Sequence, residues 1–302
     1  MNIYPGSMMN TKREDEIMII ATTISEVREQ VRKWKKDGLT VGLVPTMGYL
    51  HEGHASLVDQ AVSLCDRVVA SDFVNPTQFG PNEDLETYPR DFQHDCALLE
   101  AHGCSMVFHP SVDEMYPDGN GKTDTYVEIL NEMPKQLCGK TRPIHFRGVC
   151  TVVAKLFNIV TPDKAFFGQK DAQQLAIIRR MVRDLSYGVE IVGCPIVREA
   201  DGLAKSSRNT YLSAEERQAA LILSKSISLG QKLVAGGERD ADRVVAMMKA
   251  NLETEPLAKI DYVSAVDGVT MMPVHTIERG TLVAMAVYIG NVRLIDNFIV
   301  ED

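Results

Sequence analysis

The sequence predicts an α/β protein: a doubly wound, mostly parallel β-sheet followed by a second, smaller α+β domain. Three observations carry this prediction. From residue 17 to about 195, short β-branched runs alternate with helix-period segments, the pattern of a parallel sheet covered by helices. Polar clusters recur at the ends of those runs, where open α/β sheets place their ligands. After Ser213 the texture changes to long helical stretches and three β-like runs, which sets a boundary near residues 195–210. The expected division is a polar extension over 1–16, with Met8 and Met9 as alternative starts, a first domain over 17–195 and a second over 196–302.

The elements follow in order. IMIIA, residues 17–21, reads as a strand. Thr23 and Glu26 make a T-x-x-E capping box. The helix behind it carries Ile24, Val27, Val31 and Trp34 at helical spacing and ends in basic RKWKK before Gly38, as the helix dipole prefers. VGLVP, residues 41–45, is the next strand. A helix over about 54–65 puts Leu57, Val58, Ala61 and Leu64 on one face. Strand RVVASDFV runs into the turn-rich NPTQFGPNED; a helix near 91–102 leads to strand SMVFHP. PDGNGKTD is a loop, and TYVEI after it has the composition of a strand. GKTRPIHFRG, residues 139–148, reads as a basic loop feeding helix VCTVVAKLFNIV. Strand KAFFG, helix DAQQLAIIRRMVRDL and strand VEIVGCPIV complete the first domain. The second has helical stretches over 214–234 and 240–252, then KIDYVSAVD, TLVAMAVYIG and VRLIDNFIV.

Composition removes several functions. A net charge of −9 leaves no global basic footprint for nucleic acid, so any anion site must be local. No apolar run approaches the roughly 20 residues of a membrane helix, and the N-terminus lacks the apolar centre of a signal peptide. Cys65, Cys96, Cys104, Cys138, Cys150 and Cys194 form no C-x-x-C pair. Reduced thiols in a cytoplasmic protein are expected rather than a zinc ribbon or a dithiol redox motif.

Four polar clusters end predicted strands: PTMGYLHEGH, NPTQF, GQKD and READGLAKSSRN. One sheet edge gathers them into one site. His51 and His54 admit three readings: zinc ligands, packed residues or phosphate contacts. No HExxH or adjacent acidic partner supports zinc. At a helix start, positive imidazole edges would join free backbone N–H groups around a phosphate, and Gly48 and Gly53 allow close backbone approach. Asn75 and Gln78 offer amides suited to a hydroxyl or carboxylate, although Asn-Pro also makes a turn unaided. Lys170 is a mobile cation at the strand ends, with Gln174 one turn on; solvated surface is the plain alternative. Asp171 suits a helix cap or a ribose hydroxyl. Lys205, Ser206, Ser207 and Arg208 have a phosphate-binding composition at the domain junction, which suits a mobile lid; capping of the next helix is the alternative. Lys140, Arg142, His145 and Arg147 read equally as a solvated loop or as further anion contacts. Asp91 and Asp95 are candidate magnesium contacts, though the polar face of a helix suits them better.

HxGH followed by a serine-rich cationic loop resembles the HIGH-type nucleotidyltransferases, a group that includes class I aminoacyl-tRNA synthetases. More narrowly, PTMGYLHEGH, FVNPTQF, RPIHFRG, KLFN, FGQKDAQQ and VREADGLAKSSRNTYLS together resemble the pantoate–β-alanine ligase (pantothenate synthetase) family. IDYVSAVD and VRLIDN extend the match to nearly the whole chain. HxGH alone is a weak signal; the ordered set is highly specific. Another HIGH-type enzyme, such as a cytidylyltransferase, has no reason to carry NPTQF and GQKDAQQ. A non-catalytic nucleotide-binding regulator would be marked by loss of His54, Lys170 or Arg208, and all three are present.

The resemblance implies a Rossmann-like first domain, a C-terminal lid domain and a cytoplasmic homodimer with small-molecule partners only. It implies a two-step reaction. ATP, with magnesium, and (R)-pantoate give pantoyl adenylate and pyrophosphate; β-alanine then attacks the acyl carbon, releasing AMP and pantothenate. It implies ATP contacts at Met47, Gly48, Tyr49, Leu50, His51, Glu52, Gly53 and His54, at Gly168, Gln169, Lys170 and Asp171, at the Val197 backbone, and at Lys205, Ser206, Ser207 and Arg208. Pantoate falls to Gln78 and Gln174, with Gln78 also meeting β-alanine. The catalytic work falls to His54, assisted by His51 and Lys170. No magnesium ligand is implied. Three positions depart from the family pattern: Lys205 stands where Met or Leu is usual, Asp72 where Ile precedes FVNP, and Ile144 where glycine is usual.

Overall fold

The computed structural model describes residues 17–301 except 82, 120 and 122, so the polar N-terminal extension lies outside the described residues. β1 (Ile19–Ala21) leads to α1 (Ile24–Lys36). The expected capping box starts α1: the Thr23 hydroxyl accepts the Glu26 N–H at 3.2 Å and the Glu26 carboxylate accepts the Thr23 N–H at 2.9 Å. β2 (Val41–Thr46), α2 (Glu52–Leu64), β3 (Arg67–Asp72), α3 (Phe92–Ala101), β4 (Met106–Phe108) and the single turn α4 (Val112–Met115) follow. Then come α5 (Cys138–Thr141), α6 (His145–Val160), β5 (Lys164–Gly168), α7 (Ala172–Asp184) and β6 (Glu190–Cys194).

All six strands are parallel, in the order β1-β4-β3-β2-β5-β6, a Rossmann-like doubly wound sheet. The chain steps outward from β2 to β3 and β4 on one side, then returns to lay β5 on the other. β2 and β5 therefore flank the topological switch point, and the crevice beyond their carboxyl ends is the expected ligand position. Residues 45–54 leave β2 and residues 168–171 leave β5, so topology alone brings these motifs together.

α1, α6 and α7 share one apolar core with one face of the sheet; α2 and α3 share another. α6 is buried around most of its circumference, which marks a helix enclosed by protein rather than an amphipathic surface helix.

Three expectations fail here. TYVEI forms no strand. The Val127 N–H donates to the Thr151 hydroxyl at 3.0 Å and the Arg147 guanidinium lies 4.6 Å from the Tyr126 ring, so the segment spends its bonding on α6 rather than on a sheet edge. The basic stretch 139–148 is no loop, since α5 and the first turn of α6 absorb most of it. Residues 214–234 form two helices, because a tight turn, with the Ala220 carbonyl accepting the Leu223 N–H at 3.1 Å, interrupts them.

Those helices are α8 (Ala214–Ala219) and α9 (Leu221–Ala235), followed by α10 (Ala241–Leu252) and the antiparallel strands β7 (Ala258–Asp267), β8 (Thr281–Ile289) and β9 (Val292–Ile299). They enclose their own apolar core, in which Leu203 already takes part. Among the described residues no helix is long and apolar enough to cross a membrane.

Candidate active site

His51 is the N-cap of α2, and the two histidine rings cap the backbone of its first turn. The His51 Nδ1 accepts the Gly53 N–H at 3.1 Å, and the His54 Nδ1 accepts the His51 N–H at 3.3 Å. Their ring centroids are 4.1 Å apart. A backbone N–H only donates, so each Nδ1 must keep its lone pair and each ring carries its proton on Nε2. Electrostatics agrees. Burial, then the charges of Lys170 and Lys205, pushes His51 down to about 4. Burial, then His51 and Lys170, holds His54 well below the usual imidazole range. The expected positive edges are thus corrected: both rings are neutral Nε2–H donors, with no lone pair left for zinc.

The turn before them is left-handed at Gly48 (φ +79°) and Tyr49 (φ +51°). The Asp95 carboxylate accepts the Tyr49 and Leu50 N–H groups at 2.6 Å each, and the Tyr49 carbonyl accepts the Ser207 hydroxyl at 3.1 Å. Of residues 47–54, Met47, His51, Gly53 and His54 line the cavity. Gly48 and Tyr49 shape the turn, the Leu50 side chain is core, and exposed Glu52 pairs with the Lys205 ammonium at 2.9 Å. Asp91 caps α3, accepting the His94 N–H at 3.0 Å. Asp95 is committed to the turn, and both carboxylates thus serve backbone N–H groups.

Gln78 lies on the opposite wall, 6% exposed. Its Oε1 accepts the Asn75 amide N–H at 3.0 Å and its Nε2 points at the Met47 sulfur at 3.0 Å. Asn75 supports this wall: its Oδ1 accepts the Tyr116 and Thr77 hydroxyls at 2.7 and 2.9 Å, and its Nδ2 donates to the Gly148 carbonyl at 3.2 Å. A Cβ on Gly148 would strike the Thr77 carbonyl and the Gln78 backbone, so only glycine lets α6 approach this closely. His145 donates from Nδ1 to the Gln78 carbonyl at 3.0 Å and accepts from Arg142 at Nε2 at 3.2 Å. Burial and the Arg142 charge push it down to about 3, so it too is neutral. Arg142 pairs with Glu83. The stretch 139–148 is therefore a packed wall, not the solvated basic loop it resembled.

The Lys170 ammonium lies 3.8 Å from the Asp171 carboxylate, in a 3-10 turn over Gln169–Asp171. The Gln169 and Lys170 carbonyls accept the Asn297 amide of β9 at 3.1 and 2.8 Å, which ties this turn to the C-terminal sheet. Asp296 beside it holds Arg198 through two bonds of 2.7 and 2.9 Å. The Val197 carbonyl accepts the Lys205 N–H at 2.9 Å. Ser206 caps a short turn by accepting the Arg208 N–H at 3.3 Å. Arg208 is held by Asp84 through two bonds of 2.9 Å.

Met47, His51, His54, Gln78, Gly168, Lys170, Asp171, Gln174, Val197 and residues 205–208 line one cavity of about 210 Å³. At Lys170, Asp171, Gln174, Ser206 and Arg208 it meets a cleft of about 800 Å³ that reaches the C-terminal strands. The four motifs do converge. Gln169 lines neither space. Asp84, Tyr116, Gly148 and Asn297 escaped the sequence reading. Asp84 had a faint signal in the acidic NED of the 75–84 loop, Asn297 in VRLIDN and Gly148 at the end of RPIHFRG; Tyr116 had none.

A family model described as pantoate-beta-alanine ligase matches residues 19–299. The pantothenate synthetase of Ruminiclostridium cellulolyticum is 60% identical over 276 residues, covering 91% of this chain and 96% of that protein. Among solved structures, pantothenate synthetase from Thermus thermophilus is 42% identical with a TM-score of 0.89, over 94% of this chain and 100% of that one. Pantoate-beta-alanine ligase from Francisella tularensis, complexed with beta-gamma ATP and beta-alanine, is 35% identical with a TM-score of 0.76, over 93% and 97%.

Proposed function

The chain belongs to the pantoate–β-alanine ligase family, and on that premise we propose how its cavity works. It catalyses ATP-dependent formation of pantothenate from pantoate and β-alanine. The route is a pantoyl adenylate. A pantoate carboxylate oxygen attacks the α-phosphorus, and the bond to the bridging oxygen breaks as pyrophosphate leaves. The β-alanine nitrogen then attacks the acyl carbon, and the carbon–oxygen bond breaks as AMP leaves with that oxygen.

The work lies in alignment and charge neutralisation. Gln78 and Gln174 hold pantoate, and Gln78 also meets β-alanine. His54 and His51 donate Nε2–H bonds to phosphate oxygens, Lys170 offsets phosphate charge, and the backbone at Val197 meets the adenine. The observation that carries this reading is the reciprocal histidine cap, which fixes two neutral donors at a helix N-terminus, where phosphate is favoured.

Among the described residues no three His, Cys, Asp or Glu side chains converge on a metal position. Magnesium would enter as the counter-ion of the nucleotide and would neutralise phosphate charge there. The same reading divides the chain at 195/196, makes the second part a lid through Asn297 and the Lys205, Ser206, Ser207 and Arg208 loop, and describes a homodimer. It places the enzyme in the cytoplasm, where six free thiols stay reduced.

Lys205 is engaged by Glu52, which is 72% exposed. Such pairs contribute about 0–1 kcal/mol, so Lys205→Met is expected to change the Kd for ATP, measured calorimetrically, by less than about five-fold. A much larger loss would make Lys205 a direct phosphate cation.

The test of the route is product stoichiometry with ATP, pantoate and β-alanine: pantothenate, AMP and pyrophosphate in equal amounts. Formation of ADP and phosphate instead would overturn it.

A further inference from the structure

We propose that Asp95 is a positioning residue for the reaction: its carboxylate, packed against Asp72, fixes the left-handed turn that delivers His51 and His54 to the phosphates. The proposal rests on the site assignment above.

Asp95 projects from α3 and is 1% exposed. Its two oxygens are divided between two consecutive N–H groups, Oδ2 to Tyr49 and Oδ1 to Leu50, both at 2.6 Å. Left-handed backbone at a residue other than glycine is strained and persists only where its surroundings hold it. At Tyr49 (φ +51°) two short, charge-assisted bonds do so, directly before the residue that caps α2. A second carboxylate closes the other side. A Cβ on Gly48 would strike Asp72 Oδ1 and come within 3.2 Å of Asp95 Oδ2. Asp72 is 5% exposed, and its Oδ2 is buried without a hydrogen-bond partner among the described residues. The His109 Nδ1 is 3.6 Å from that oxygen and makes its shorter contact, 2.9 Å, with the Asp72 carbonyl.

This arrangement carries a cost at neutral pH. Burial, with a further push from the Asp72 charge and against the two backbone bonds that favour the carboxylate, raises Asp95 to about 6. A carboxyl whose folded pKa lies above its unfolded value contributes stability at low pH that is lost as pH rises through 6. Above that pH the ionised Asp95 burdens the fold, yet that is the form in which it accepts both N–H groups. The geometry of the turn, two consecutive N–H groups met by two oxygens, accounts for a carboxylate here. The titratable groups around it are Asp72 on β3, His94 and Cys96 on α3, His109 after β4, and Tyr49 in the turn itself.

The experiment measures kcat, KM and Tm from pH 5 to 9 for the wild type, Asp95→Asn, Asp72→Asn and His109→Gln. An amide oxygen cannot replace two carboxylate oxygens, so Asp95→Asn should lower kcat by about 10²-fold at pH 8, the scale of a small misplacement of catalytic groups. The KM for pantoate should stay within about three-fold, and Tm should fall by no more than a few degrees. The wild type should lose kcat as pH falls through about 6. Asp72→Asn removes the charge facing Asp95, so this acid limb should move to lower pH relative to that variant's own plateau; His109→Gln should keep the limb. Wild-type kcat in Asp95→Asn, a loss of kcat that tracks loss of Tm, an acid limb unmoved by Asp72→Asn, or its disappearance in His109→Gln would each overturn the proposal. If Asp95→Asn does not fold, the Asp72→Asn limb decides alone. Full activity in His54→Ala would overturn the site assignment; an inactive His54→Ala beside a fully active Asp95→Asn would overturn this proposal and leave that assignment standing.

Discussion

His54→Ala is expected to lower the rate of adenylate formation by about 10²–10³-fold, the usual cost of removing one preorganised donor from a developing oxyanion. The loss should have an unusual pH signature. The Nδ1 lone pair is fixed by the His51 N–H, and burial holds the ring well below the usual imidazole range. The ring that acts is therefore already neutral at pH 7 and remains so at pH 9. The ratio of wild-type to mutant rate, measured by single-turnover quench, should be flat across that range; a ratio that collapses between pH 7 and 9 would mean that the imidazolium is the active form. Folding should suffer modestly, by about 1 kcal/mol for a lost cap acceptor. Lys170→Ala should match this loss of rate with still less effect on Tm, because among the described residues its ammonium pairs only with Asp171, at a long 3.8 Å.

Gly148→Ala should produce the second large effect, on the other substrate. The added Cβ has no room: it meets the Thr77 carbonyl and the Gln78 backbone, not the movable end of a side chain. Either α6 retreats or the Asn75–Gln78 turn shifts, and the Asn75 bond to the Gly148 carbonyl goes with it. Overpacking of this kind costs about 1–3 kcal/mol. Because Gln78 moves, kcat/KM for pantoate should fall by about 10-fold or more, while the Kd for ATP, set on the far wall, should hold within about three-fold. Unchanged pantoate kinetics in a folded Gly148→Ala protein would show that Gln78 does not place pantoate.

Features set by neighbours along the chain were legible in the sequence. The Thr23–Glu26 capping box lies within four residues, and the alternation of strand and helix was enough to put the four polar clusters at one sheet edge. Their convergence was legible because parallel topology leaves the strand ends little choice. Features set by distant residues were not. The neutral state of His51 depends on burial and on Lys170 and Lys205, more than a hundred positions away. Arg208 reads as a free phosphate cation until Asp84, 124 residues earlier, is seen to hold it. TYVEI has strand composition, but strand propensity is realised only at an available edge, and its Val127 N–H is taken by Thr151. In the sequence Asp72 is only a departure from the family pattern; what it packs against, Asp95 and Gly48, appears only in the fold.

The most direct measurement follows oxygen from pantoate. Pantoate carrying 18O in both carboxylate oxygens is turned over with ATP and β-alanine, and the products are weighed by mass spectrometry. Attack of the carboxylate on the α-phosphorus, then expulsion of AMP by the amine, predicts one 18O atom in AMP, one retained in pantothenate and none in pyrophosphate. Unlabelled AMP, or label in inorganic phosphate beside ADP, would contradict the pantoyl adenylate and the placement of the carboxylate on which the whole site reading depends.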